Sequence, residues 1–155
     1  MKILFLLTTL GLLSFKTPFG KTNLHTEYLP ELFFQENLPF YSGFMKSGER
    51  LKDTTEIFIF MKYWLDRNPT ATIEVVGNAD FIEKDKSNLS FQRAKRVYDD
   101  LMKMGINPSR IKTKGVADTT PHISKELQKG CGKDEKCWAA IRQENRRVYF
   151  LVIHG

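Results

Sequence analysis

The segment from Arg147 to Ile153 constrains the fold most, because its apolar side chains fall on both faces of an extended chain. Val148, Phe150 and Val152 alternate with Tyr149, Leu151 and Ile153, so each face of the pleat receives large hydrophobic groups. Such a strand needs cover above and below and a neighbour on either side. It belongs inside a sheet rather than at its edge.

The rest of the chain supplies that sheet and its cover. Leu32-Phe33-Phe34 and Leu38 to Phe44 are short, aromatic-rich and bounded by Pro39 and Gly43, and one or both form a first strand. Ser47-Gly48-Glu49 then opens a helical pattern with Leu51, Thr54, Phe58, Met61 and Leu65 on one stripe. Asn68-Pro69 stops it. Thr72 to Val76 is β-branched and reads as a central strand bounded by Gly77. A second helix, capped by Ser87 or Asn88, carries Leu89, Ala94, Val97, Leu101 and Met104 inward and ends at Gly105. Arg110 to Val116 alternates as a third strand with one wet face, and an irregular stretch with a short helical piece near Trp138 to Arg142 leads into the last strand.

The predicted order is β-α-β-α-β-β. It describes an α/β (α+β) sandwich in which a four-stranded mixed sheet carries two main helices. Helical crossovers make the strands they join parallel and right-handed, whereas the last strand is free to run antiparallel.

At 155 residues the chain accommodates one domain with a real core. Its 24 Lys plus Arg against 18 Asp plus Glu favour anionic surroundings. Met1-Lys2, the apolar run Ile3 to Phe15, and then Lys16, Pro18 and Gly20 have the layout of a secretory signal peptide. The run is shorter than the roughly 20 apolar residues of a spanning helix, so no permanent membrane span is expected. Residues 1–20 are assigned to the signal, 21–37 to a linker or N-terminal tail, and 38–155 to the domain. Export to the periplasm or cell envelope makes nucleic acid a poor partner. In that oxidising setting Cys131 and Cys137 read as a disulfide closing a small loop, against a weaker reading as a metal site with His122.

The chemistry gathers where the second strand ends. Asp80 follows Gly77-Asn78-Ala79, and Arg93 lies in the next helix on the stripe that carries Leu89 and Val97. Ligands of α/β folds favour the crevice beyond the carboxyl ends of strands. Two readings stay open: an internal Asp80–Arg93 salt bridge, or a site in which Asp80 meets an ammonium and Arg93 a carboxylate. Two such contacts at ~1.5–3 kcal/mol each give roughly millimolar binding, which suits a repeating polymer. A hydrolase built on Asp80, Glu83 and Asp85 is disfavoured, because these acids crowd one wet loop where nothing raises a catalytic pKa. No cofactor is expected.

Gly77-Asn78-Ala79-Asp80, Leu89-Ser90-x-x-Arg93-Ala94-x-x-Val97, Gly105-Ile106, Arg110-Ile111 and Asn145-Arg146-Arg147-Val148 together resemble the OmpA C-terminal-like domain, the family of peptidoglycan-associated lipoproteins and flagellar stator subunits. The resemblance covers roughly Leu38 to Ile153. It implies an OmpA-like fold and non-covalent binding of peptidoglycan through the diaminopimelate of its stem peptide, with the ammonium on Asp80 and the carboxylate on Arg93. It further implies that Arg147, in the Asn-Arg-Arg-Val piece, supports the site; Asn78, Ala79 and Asn88 are counted with it as candidate ligand-binding residues. Three positions depart from the family pattern: Asn78 before the Ala-Asp pair, a shorter loop from Asp80 to Leu89, and Lys86 where an asparagine is usual. A structural or envelope-protein interaction domain on the same fold is the competing reading.

Overall fold

The computed structural model describes residues 29–36, 38, 39, 41–46, 49–51 and 54–154. The signal expected over residues 1–20 lies outside the described residues.

Strand β6 (Arg147–His154) runs antiparallel between β1 (Glu31–Phe34) and β4 (Thr72–Gly77). It is the interior strand that its two apolar faces require. Val148 and Phe150 are buried on one side, and Tyr149, Leu151 and Ile153 are half-buried on the other. Beyond β4 lies β5 (Ile111–Gly115), parallel to it and joined through helix α2 (Lys86–Lys103). Strands β2 (Tyr41–Lys46) and β3 (Glu49–Leu51) extend the sheet past β1, giving the order β3-β2-β1-β6-β4-β5.

The mixed sheet and its two main helices follow the expected plan, but six strands pair among the described residues where four were expected, because the segment before α1 supplies three strands. Both aromatic-rich segments become strands, and β1 begins inside the stretch assigned to the tail, ahead of the boundary expected at residue 38. Helix α1 (Thr54–Arg67) starts later than its stripe suggested, because Glu49–Leu51 pairs with β2 instead of coiling.

The helices pack on one face of the sheet. Ile57, Phe58, Met61 and Leu65 of α1 meet Ala94, Val97 and Leu101 of α2 over Ile73, Val75, Val148 and Phe150. Each fully buried Val, Leu, Ile, Phe or Met among them contributes ~1.5–3 kcal/mol. Arg110 ties down the end of α1 and the turn after it by donating to the carbonyls of Leu65 in the last helical turn and of Asn68 and Ala71 beyond it. After α2 the chain turns at Gly105, whose φ of 80° suits glycine. Between β5 and β6 sit two shorter helices, α3 (Lys125–Gln128) and α4 (Glu135–Asn145). Among the described residues no helix is long and apolar enough to cross a membrane.

Candidate functional site

Two glycines bring α2 onto the strand ends. Gly77 and Gly115 face each other across the β4–β5 pair. A Cβ on Gly77 would stand 2.0 Å from the Ser90 carbonyl oxygen, and one on Gly115 would stand 2.6 Å from the Phe91 nitrogen. The bare backbones let Ser90, itself fully buried, lie directly on the sheet. Its Oγ donates to Ser87 O and accepts from Ala117 N–H, both at 3.0 Å. This docking sets the position of Arg93, one turn further along the helix.

Arg93 does not wait in a pocket for an anion. It is fully buried, and Glu83 grips it with both carboxylate oxygens: Nη1 donates to Oε2 at 2.7 Å and Nη2 to Oε1 at 2.6 Å. Nη1 also donates to Asn78 O, Nη2 to Gln35 O, and both Nε and Nη2 to Leu38 O. The β1–β2 turn thus covers the guanidinium from above. Neither reading left open for Arg93 survives in its original form. Its acidic partner is Glu83 rather than Asp80, and a ligand carboxylate has no free N–H to meet there. The reason is geometric: the short loop after Asp80 folds Glu83 back beneath the loop, toward the helix.

Asp80 is the group that this arrangement presents. Its N–H donates to Glu83 Oε2 at 2.8 Å, and its carbonyl accepts from the Glu83 N–H at 3.1 Å. Arg93 therefore holds Glu83, and Glu83 holds the Asp80 backbone. Oδ1 accepts from the Ile82 N–H at 3.2 Å, whereas Oδ2 is buried and has no hydrogen-bond donor among the described residues. The Asn145 amide lies beside the carboxyl but makes its own bonds to the Ile123 backbone. Burial pushes the Asp80 carboxyl above the ordinary aspartate value. The Ile82 N–H, the Asn145 side chain, the Phe81 N–H and the Arg146 charge pull the other way without reversing it.

The remaining expected residues fall at differing distances from this corner. Asn78 and Ala79 form its floor. Asn78 N–H donates to Arg147 O, its Oδ1 accepts from Thr120 Oγ1, and Ala79 N–H donates to Ala117 O, each at 2.8 Å. Asn88 is exposed inside the first turn of α2, where it bonds Asp85 and Gln92. It neither caps the helix nor lines the corner, and Ser87 lies inside the helix as well. The N-cap is Asp85, in the left-handed region at φ 43°. Arg147 contributes its carbonyl, while its side chain turns to Glu31 and the Tyr149 ring. The charge that acts on both Asp80 and Glu83 belongs to its neighbour Arg146, which is mostly buried. Lys86 is held by Asp118 at 3.2 Å.

Sequence reasoning also missed one flank. Trp138, Arg142 and Asn145 recur at helical spacing along α4, and this stripe faces the loop after Asp80. The Phe81 ring meets Trp138 edge-on at 6.3 Å, and Arg142 lies over both rings. Cys131 and Cys137 are joined in a disulfide that fastens the start of α4 to the turn before it. The alternation of tryptophan, arginine and asparagine at four- and three-residue intervals was the available signal. Among the described residues no group of His, Cys, Asp and Glu is arranged to hold a metal ion.

Several solved structures share this architecture. The peptidoglycan-associated lipoprotein from Burkholderia pseudomallei superposes with a TM-score of 0.58 at 17% identity, over 79% of this chain and 88% of that one. A putative MotB-like protein from Desulfovibrio vulgaris gives 0.56 at 20% identity, over 80% and 71%. The OmpA-like domain of FopA1 from Francisella tularensis gives 0.53 at 16% identity, over 81% and 73%. The class is thus an α/β sandwich with an interior antiparallel last strand, and within that class the chain has the OmpA-like fold. No family model matches the chain, and no curated protein sequence does.

Proposed function

We propose that this chain is a non-catalytic peptidoglycan-binding module of the cell envelope, in which Asp80 receives the side-chain ammonium of a diaminopimelate stem peptide. The observation that carries the reading is the buried, donor-less Oδ2 of Asp80 at the carboxyl end of β4. A carboxylate whose Oδ1 accepts from the Ile82 N–H, with the other oxygen left over, is prepared for a cationic donor. The likeness to a peptidoglycan-associated lipoprotein supports the choice of polymer. In this reading Arg93 acts through Glu83, as the prop that orients Asp80, rather than on the ligand. Asn78 and Ala79 shape the floor, Arg147 supports it through its carbonyl, and Asn88 stands outside. Periplasmic placement, the leader over residues 1–20 and the absence of turnover belong to the same proposal. Glu83, which a hydrolase would need free, is engaged by Arg93.

A second reading is favoured by the burial of Asp80 and Arg93, both with no exposed surface. On that reading the corner is a structural knot and the domain binds an envelope protein instead. Sedimentation with diaminopimelate-type sacculi separates the two. The peptidoglycan module pellets with the polymer and Asp80→Asn does not, with the fold of both checked by circular dichroism. If the unaltered chain stays in the supernatant, the second reading takes its place.

A further inference from the structure

With Arg93 closed off, the corner still needs a cation if its ligand carries a carboxylate beside the ammonium. We infer that Arg142 is that cation, and that Phe81, Trp138 and Arg142 form a carboxylate-binding flank next to Asp80. The inference rests on the peptidoglycan reading above and names the residue that meets the anionic half of the same ligand.

Three independent features place Arg142 in this role. First, it belongs to the α4 stripe whose other members are already at the site. Asn145, three residues on, stands beside the Asp80 carboxyl, and Trp138, four residues back, touches Phe81, the residue after Asp80. Side chains at these spacings share one helix face. Second, Arg142 is held by rings rather than by acids. Its guanidinium carbon lies 5.9 Å from the Phe81 centroid and 5.4 Å from that of Trp138. Third, its Nε is buried without a hydrogen-bond acceptor, and among the described residues it forms no ion pair.

A guanidinium over aromatic faces, with Nε enclosed, still offers its terminal Nη N–H groups, and that end matches a carboxylate in two-pronged fashion. The rings also restrict its rotamers, so less freedom is lost on binding. Other arginines of the corner lack this freedom. Arg93 is saturated, Arg146 faces Glu83, Glu36 and Asp80, and Arg147 is paired with Glu31. Lys125 also sits over Phe81, at 5.9 Å, and adds positive potential while it leans toward Asp118. Asp80 precedes Phe81 in the chain and Arg142 lies over its ring, so the donor-less Oδ2 and the guanidinium without an acid partner form a matched seat for an amino-acid zwitterion.

The test measures apparent affinity for diaminopimelate-type sacculi by sedimentation, for the unaltered chain and for Asp80→Asn, Arg142→Gln and Arg142→Lys. Urea midpoints are measured alongside. Arg142→Gln is expected to weaken binding about tenfold, the loss of one charge-assisted contact, with little change in the urea midpoint. Arg142→Lys, which keeps the charge but not the planar edge, is expected to recover only part of it. If Asp80→Asn abolishes binding while both Arg142 variants bind like the unaltered chain, the flank is overturned and the peptidoglycan reading stands. If the unaltered chain does not sediment, both are overturned. Should Arg142→Gln fail to fold, the lysine variant decides alone, and unaltered affinity there counts against the flank.

Discussion

Glu83 and Arg93 form a two-pronged ion pair from which solvent is excluded, each side chain having no exposed surface. The pair links the loop after β4 to the middle of α2, and through the carbonyls of Gln35 and Leu38 to the β1–β2 turn as well. A further contact, from the Asp80 N–H to Glu83, places the candidate ligand carboxylate at the end of a chain of charged groups.

Removing one member leaves the other buried and uncompensated. Arg93→Met is therefore expected to cost about 3–5 kcal/mol in urea unfolding. The double variant Arg93→Met with Glu83→Leu removes both charges and should lose clearly less than the single losses combined. An Arg93→Met chain with an unchanged urea midpoint would show that the pair does not hold the corner.

Gly77 gives a second, sharper test, because the obstacle there is backbone. Gly77→Ala sets a methyl 2.0 Å from Ser90 O, so α2 must lift from the strand ends. Overpacking of this kind costs about 1–3 kcal/mol or more. Gly130→Ala, where nothing lies within 4 Å, is the control and should be near neutral. Equal thermal midpoints for the two variants would refute the close docking.

These two sites show what the sequence made legible and what it hid. The corner itself was readable, because Asp80 and Arg93 are set by a strand end and a helix stripe, both local patterns. An arginine in line with Leu89 and Val97 had to be buried and engaged. Its partner was not readable, since Glu83 lies among Lys84, Asp85 and Lys86 and looks like part of a wet charge run. Only the path of the loop turns that one carboxylate inward. Likewise, Glu49–Leu51 continued a helical stripe by spacing alone, and pairing with β2 overrode it. The α4 flank was obscure because its stripe mixes an aromatic, a cation and an amide, which registers on no hydrophobic pattern.

Tyr41 and Asp100 tie β2 to α2. The Tyr41 hydroxyl donates to Asp100 Oδ2 at 2.9 Å, beside Arg96 at 3.0 Å, while Lys103 reaches Oδ1 at 2.7 Å. Burial alone would raise the Asp100 carboxyl, but the Lys103, Tyr41 and Arg96 bonds outweigh it and hold the carboxyl below the ordinary value. A depressed carboxyl stabilises the fold above its unfolded pKa and loses that contribution as pH falls through its folded pKa. Tyr41→Phe is expected to cost about 1 kcal/mol at neutral pH. Asp100→Asn should flatten part of the acid limb of a stability–pH curve, and an unaltered limb would count against the network.

Asp80 is expected to behave with the opposite sign. Burial raises its carboxyl, so the folded chain holds that proton more tightly than the unfolded chain does. Its ionised form works against folding, and the penalty lifts as pH falls through the raised folded pKa. Asp80→Asn, which keeps an acceptor for the Ile82 N–H, should therefore match or exceed the unaltered chain in urea midpoint at neutral pH. Ligand binding responds in the other direction. An ammonium needs the ionised carboxylate, so the amount of chain retained on sacculi should decline on acidification at a pH above the usual aspartate range. A titration from about pH 8 to about pH 4 spans that window. Asp80→Asn should show no retention and no corresponding step. Retention that persists unchanged until the ordinary aspartate value would place the ammonium elsewhere, since a bound cation at Asp80 must compete with the proton that burial favours.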